Sequence, residues 1–94
     1  MSKSLSQILV HIVFHMKAGS FIHSSHTIEL YHYMGGIIKI NGSFPIKIEG
    51  TEDHIHILCS LSKNIAVAKL VEEIKRNSSR WIKTLDPSYH IFGW

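Results

Sequence analysis

Two histidines stand one residue apart in the run EDHIHILCS at residues 52–60: His54 and His56, with Ile55 between them. On an extended strand, residues two apart share a face and their Cα atoms lie roughly 6.5–7 Å apart. Both imidazoles can then reach one cation and leave its other positions to water and substrate oxygens, which is what a catalytic metal requires and a structural one lacks. Imidazole nitrogen suits Mn²⁺, Zn²⁺ or Ni²⁺ better than Mg²⁺, which would need a third protein ligand and phosphate oxygens beside the pair. The same spacing fits two histidines on a solvated sheet face, hydrogen-bonded only to water. A two-residue motif leaves both readings open.

A second group with chemical potential is basic. Lys69, Arg76, Arg80 and Lys83 recur at spacings of seven, four and three, so on a helix they share one face. Such a stripe can follow the phosphates of a nucleic-acid strand. It is equally a solvated face with Glu72 and Arg76 paired at i,i+4. Trp94 is a loose candidate for stacking on bases, whereas Trp81 falls in an apolar stripe and reads as core. Tyr31 and Tyr33 read as helix packing, and Tyr89 as lying just before a strand. The single cysteine, Cys59, sits in an apolar run and reads as a buried thiol in a reducing cytosol.

The elements that must position these residues follow from periodicity. Residues 7–15, QILVHIVFH, are β-branched and aromatic with apolar side chains at both parities, which argues a central strand. Ile8, Val10, Ile12 and Phe14 make one face; Leu9, His11, Val13 and His15 make the other. Ser24 or Ser25 offers an N-cap for a helix with Ile28, Tyr31, Met34 and Ile38 on its apolar side. Gly35-Gly36 inside it implies close packing, and Asn41-Gly42 a left-handed stop. FPIKIEG and HIHILCS, joined through residues 50–53, read as a hairpin, the first alternating Ile46 and Ile48 against Lys47 and Glu49. Parity places Ile55, Ile57 and Cys59 toward a core and His54, His56 and Leu58 on the opposite face. Asn64 can cap a last helix whose stripe runs Val67, Leu70, Val71, Ile74, Ser78, Trp81, Ile82. Asp86-Pro87 breaks it, and SYHIFGW looks like the start of a further strand.

The order β-α-β-β-α-(β) is the ferredoxin-like split pattern, an α+β fold with two helices on one face of an antiparallel sheet and the other face open. The first and third strands are then neighbours in the centre, with His54 and His56, and by parity His11 and His15, on the bare face. The chain has 94 residues, 45% hydrophobic, which predicts a single domain over 1–94. A chain of this size buries roughly 60–65% of its unfolded surface, a modest core often helped by a partner subunit. A net charge of +3 is compatible with a polyanionic partner. No apolar run is long enough to span a bilayer, and the polar start MSKSLSQ does not read as a signal peptide, so no membrane association is expected. The eight histidines are scattered rather than contiguous, so they belong to the protein and not to a tag.

With these residues in place, the chain resembles the single-tyrosine HUH transposases of the insertion-sequence 200/605 type over essentially its whole length. The stretches that carry the likeness are HIVFHMK, LYHYMGGIIKING, IEGTEDHIHILCSL and IAVAKLVEEIKRNSSRWI. The resemblance implies that His54 and His56 bind Mg²⁺ or Mn²⁺, which polarises a scissile phosphate of single-stranded DNA. It further implies a tyrosine attack that leaves a 5′-phosphotyrosine link and a free 3′-hydroxyl. Lys69, Arg76, Arg80, Lys83 and His11 are then the expected DNA-contacting residues. The implied partners are single-stranded DNA with hairpin ends and a second copy of the chain, in a bacterial or archaeal cytosol near the nucleoid. In that family the nucleophile lies on a further helix as Tyr-x-x-x-Gln, whose Gln completes the metal site. No Tyr-x-x-x-Gln occurs here. The chain thus reads as C-terminally truncated relative to the family, with no catalytic tyrosine of its own, able to bind metal and DNA but not to nick. The alternative is a non-catalytic single-stranded nucleic-acid-binding module.

Overall fold

A computed structural model of the protein describes residues 7–51 and 53–94. The stretch 1–6, on which most of the signal-peptide expectation rests, lies outside the described residues, as does Glu52 in the hairpin turn.

Alternation builds the sheet. β1 (Leu9–His15), β2 (Phe44–Gly50) and β3 (His54–Ser60) pair antiparallel in the order β1-β3-β2. In β3 the odd positions Ile55, Ile57 and Cys59 are buried and the even ones half-exposed, as period-two geometry requires. Ile12 and Phe14 of β1 sink to the same side, while His11, Val13 and His15 stay exposed. The side chains of β1 and β3 therefore fall on the expected faces. The position of β1 does not: among the described residues it is paired on one side only, by β3, and residues 87–94 form a short 3₁₀ turn at Pro87–Tyr89 and an irregular tail. Asp86 holds that turn by accepting the Ser88 N–H at 2.8 Å, and the tail is tied down just past β1, where Lys17 N–H donates to Gly93 O. Trp94 is half-buried against the core, edge-on to Phe14 at 4.9 Å, with its indole N–H donated to Ser78 Oγ at 2.9 Å.

Two helices cover the buried face. α1 (Thr27–Ile40) contributes Leu30, Met34, Ile37 and Ile38, and α2 (Val67–Leu85) contributes Leu70, Ile74 and Ile82. Tyr33 of α1 stacks on Trp81 of α2 at 4.6 Å and nearly parallel. Ile28 differs from expectation, being 63% exposed: the apolar face of α1 is centred on Leu30 and Met34. Neither expected cap is used. Ser24–His26 form a 3₁₀ turn ahead of α1, and α2 begins after Ala66 with no side-chain cap, its Asn64 instead donating a backbone N–H to Ser62 Oγ. The stop at the other end of α1 is as expected. Gly42 has φ +80°, Ser43 N–H bonds Ile38 O and Gly42 N–H bonds Lys39 O, the paired bonds of a Schellman ending.

In β2 the register slips between Pro45 and Lys47, so the expected simple alternation breaks at Ile46, which is left 48% exposed. Pro45 and Ile48 lean toward α1; Lys47 and Glu49 pair with Leu58 and His56.

Candidate functional site

The bare face of the sheet gathers four histidines. His15 and His54 are cross-strand partners with ring centroids 5.2 Å apart; His54 and His56 are 4.7 Å apart; His56 and His11 are 5.3 Å apart. The strand pattern causes this directly, since each occupies the parity opposite to a buried Ile, Phe or Cys on its own strand. His54 and His56 thus project together from the central strand on the side away from the helices.

Their hydrogen bonds are not left to solvent. His54 Nδ1 lies 2.7 Å from Asp53 Oδ1 and 2.9 Å from Thr51 Oγ1, and the Thr51 hydroxyl donates to the same carboxylate oxygen at 3.2 Å. These bonds hold the Asp53 carboxyl below its usual range, that from His54 contributing most and that from Thr51 next. His56 Nδ1 lies 3.2 Å from His11 Nε2. Each histidine of the pair is therefore engaged through Nδ1, with Nε2 as its remaining donor atom. Beside them a shallow cleft of about 220 Å³ is lined by His11, Lys47, Glu49, His56 and Leu58, with Lys47 Nζ 3.7 Å from Glu49 Oε1.

Imidazole nitrogens two residues apart on one bare face fit a divalent ion as half of a coordination sphere. Among the described residues no group of three or more His, Cys, Asp or Glu side chains is arranged to hold an ion. A groove of about 610 Å³ lies between α1 and β2 and contains none of these four histidines. It lies at the β2 edge of the sheet, away from the four imidazoles.

The basic residues are elsewhere. Leu70, Ile74, Ser78 and Ile82 of α2 are buried against the sheet, and Lys69, Arg76, Arg80 and Lys83 are exposed on the opposite side of the same helix. The stripe and the imidazoles thus point in opposite directions from a helix-on-sheet sandwich. Only His11 of the expected DNA contacts shares the imidazole face. Lys69 pairs with Glu72 at 2.9 Å and Arg76 with Glu73 at i,i+3, in place of the expected Glu72–Arg76 pair. Among the described residues Arg80 and Lys83 have no carboxylate within 4.0 Å.

The three tyrosines are engaged away from the four imidazoles of the sheet face. Tyr33 is stacked under Trp81, and Tyr31, on α1, has its phenol pushed up first by burial and then by Glu49. Tyr89 is 1% exposed and hydrogen-bonded to His26 Nδ1 at 2.7 Å. Cys59 is fully buried, and burial raises its thiol, so it is the inert core residue expected. Thr51 and Asp53 were not singled out by sequence reasoning; their one signal was a hydroxyl and an acid immediately before the first histidine, in a hairpin turn.

A three-stranded antiparallel sheet with two helices on one side and a His-x-His pair on the other defines the class: an α+β sheet-and-helix domain with a candidate cation site on its bare face. The family model described as "Transposase IS200 like" matches residues 4–93, and the chain belongs to that family. The fold is shared with a crystal structure of a protein from Deinococcus radiodurans R1 assigned as a transposase, at a TM-score of 0.84 and 17% identity, over 100% of this chain and 79% of that one. Among curated proteins no sequence matches it.

Proposed function

We propose that the chain serves DNA transposition by holding a divalent ion on its bare sheet face and presenting single-stranded DNA to it. The observation that carries this reading is the placement of His54 and His56 side by side on the uncovered side of β3, each with Nδ1 already engaged. A bound Mn²⁺ or Mg²⁺ would supply Lewis-acid polarisation of a scissile phosphate. His54 and His56 would hold the ion; Thr51, Asp53 and His11 fix the rings. Lys69, Arg76, Arg80 and Lys83 bind phosphates of the strand or of its hairpin ends on the far side of α2.

A nicking reaction through 5′-phosphotyrosine also needs a phenol beside the ion. Residues 1–94 bring none there, since Tyr33 and Tyr89 are held by their own packing and Tyr31 lies on α1, on the covered side of the sheet. By themselves they bind metal and DNA without forming a covalent adduct. The test has two readouts. Titration calorimetry with Mn²⁺ is expected to give one site that disappears in His54→Ala/His56→Ala, and a denaturing gel of labelled single-stranded DNA with Mn²⁺ is expected to show no adduct. Unchanged Mn²⁺ affinity in the double variant defeats the site, and a trapped adduct defeats the claim about the phenol.

The incomplete set of protein ligands favours one second reading, a non-catalytic single-stranded nucleic-acid binder. It requires a mobility shift that is the same with and without a chelator.

We further propose a homodimer and a cytosolic, nucleoid-associated setting. No helix among the described residues is long and apolar enough to cross a membrane, and β1 offers an unpaired edge to a second copy.

A further inference from the structure

We propose that Asp53, Thr51 and His11 are positioning residues: Asp53 with Thr51 holds His54, and His11, by accepting from His56 Nδ1, holds His56, in the tautomer whose Nε2 stays free as a donor atom; this rests on the metal reading above. Free imidazole carries its proton on either nitrogen, and only the unprotonated one can ligate a metal. At His54 the choice is forced. A carboxylate oxygen at 2.7 Å can only accept, so Nδ1 must carry the proton and donate it. Thr51 Oγ1, 2.9 Å from the same nitrogen, takes a second share of that N–H while its own proton goes to Asp53 Oδ1 at 3.2 Å. The turn fixes this arrangement, because Thr51 N–H also closes the hairpin onto His54 O at 2.9 Å. One backbone bond and three side-chain bonds therefore fix the ring plane and leave Nε2 as the remaining donor atom.

At His56 the partner is a second imidazole. His56 Nδ1 and His11 Nε2 are 3.2 Å apart, and one of them must donate. Donation from His56 leaves its Nε2 free for an ion; donation from His11 would put a proton on His56 Nε2 and close it. The two braces differ in chemistry. One is a carboxylate local to the hairpin, and the other is an imidazole that reaches across from β1. Outer partners of this kind typically change metal affinity about 10–100-fold when removed.

The experiment uses residues 1–94, with Mn²⁺ as the probe. It pairs calorimetry with two-bond ¹⁵N imidazole spectra of the metal-free protein, which report the tautomer directly. Asp53 and His11 are both exposed, so Asp53→Ala and His11→Phe are expected to keep the amide fingerprint. Asp53→Ala is expected to weaken Mn²⁺ binding about 10–100-fold and move His54 toward the Nε2–H tautomer. His11→Phe is expected to do the same at His56 alone. Asp53→Asn, which keeps an acceptor and loses the charge, should retain both tautomer and most of the affinity, as should Thr51→Ser. Affinities and tautomers unchanged in Asp53→Ala and His11→Phe, with binding still abolished in His54→Ala/His56→Ala, would overturn the positioning role and leave the metal site standing. Equal losses in Asp53→Asn and Asp53→Ala with the tautomer intact would overturn it too, assigning the effect to charge. Binding unchanged in the double alanine variant removes the metal reading, and this inference with it.

Discussion

Gly50 and Gly36 make opposite demands on the chain. A Cβ on Gly50 would lie 2.6 Å from His54 O and 2.9 Å from Ile55 Cδ1, so the hairpin cannot accept one without moving the backbone that carries His54. On Gly36 a Cβ would meet nothing within 4 Å, and on Gly35 only ordinary contacts near 3.8 Å with Pro45. The glycine pair in α1 is thus not the close-packing device its sequence implies. Gly36→Ala should raise stability by about 0.5–1 kcal/mol through helix propensity alone. Gly50→Ala should lower stability and, because the clash is with the His54 carbonyl, weaken Mn²⁺ binding as well. Urea denaturation of both variants, with calorimetry on the second, checks the pair of outcomes; a neutral Gly50→Ala would show that the hairpin gives way without cost.

The helix α2 and the strands show how far periodicity reaches. The faces of β1 and β3 were legible because alternation assigns a side chain to one side or the other whatever the details of packing. Thus His54, His56 and His11 were placed on the bare face from sequence, and Ile55, Ile57 and Cys59 in the core. What periodicity does not carry is any feature decided by a single local bond or by a neighbouring element. Ser24, Ser25 and Asn64 have the chemistry of caps, but the chain ahead of each helix takes a different turn. Ile46 breaks the alternation of β2 through a slipped register, and among the described residues β1 is paired on one side only, the tail folding as a turn. The direction of the α2 stripe relative to the imidazoles was likewise invisible until the helix was docked. On that stripe Lys69 and Arg76 are occupied by Glu72 and Glu73, so Arg80 and Lys83 should carry most of the phosphate binding. Arg80→Ala/Lys83→Ala is expected to weaken single-stranded DNA binding evenly across sequences. The slope of log K against log salt should become shallower by about 1–1.5, since each phosphate no longer neutralised removes about 0.7. Mn²⁺ affinity should not change. A double variant with the wild-type slope would remove the stripe from the DNA-binding surface.

At the scale of the molecule, a three-stranded sheet leaves two outer edges, and they are not equivalent. β2 carries Pro45, a register slip and Lys47, features that discourage pairing with another strand. β1 has none of these and exposes Leu9 and Val13 along its length. Its backbone polarity follows from the register. Ile8 O accepts from Leu61 N and Met16 N donates to Asp53 O, so even-numbered residues of this strand turn their peptide groups toward β3. Leu9, His11, Val13 and His15 turn theirs outward, where a second chain can meet them. An antiparallel pairing of two β1 edges would join the sheets of two copies and set their histidine faces side by side. The expected result is a sedimentation coefficient that rises with concentration to that of a dimer. Val13→Pro removes an outward N–H while sparing every bond to β3, so it should hold the protein monomeric and leave Mn²⁺ binding to one chain intact. Association that survives Val13→Pro would place the contact elsewhere, and a wild-type monomer at every concentration would leave the β1 edge to solvent.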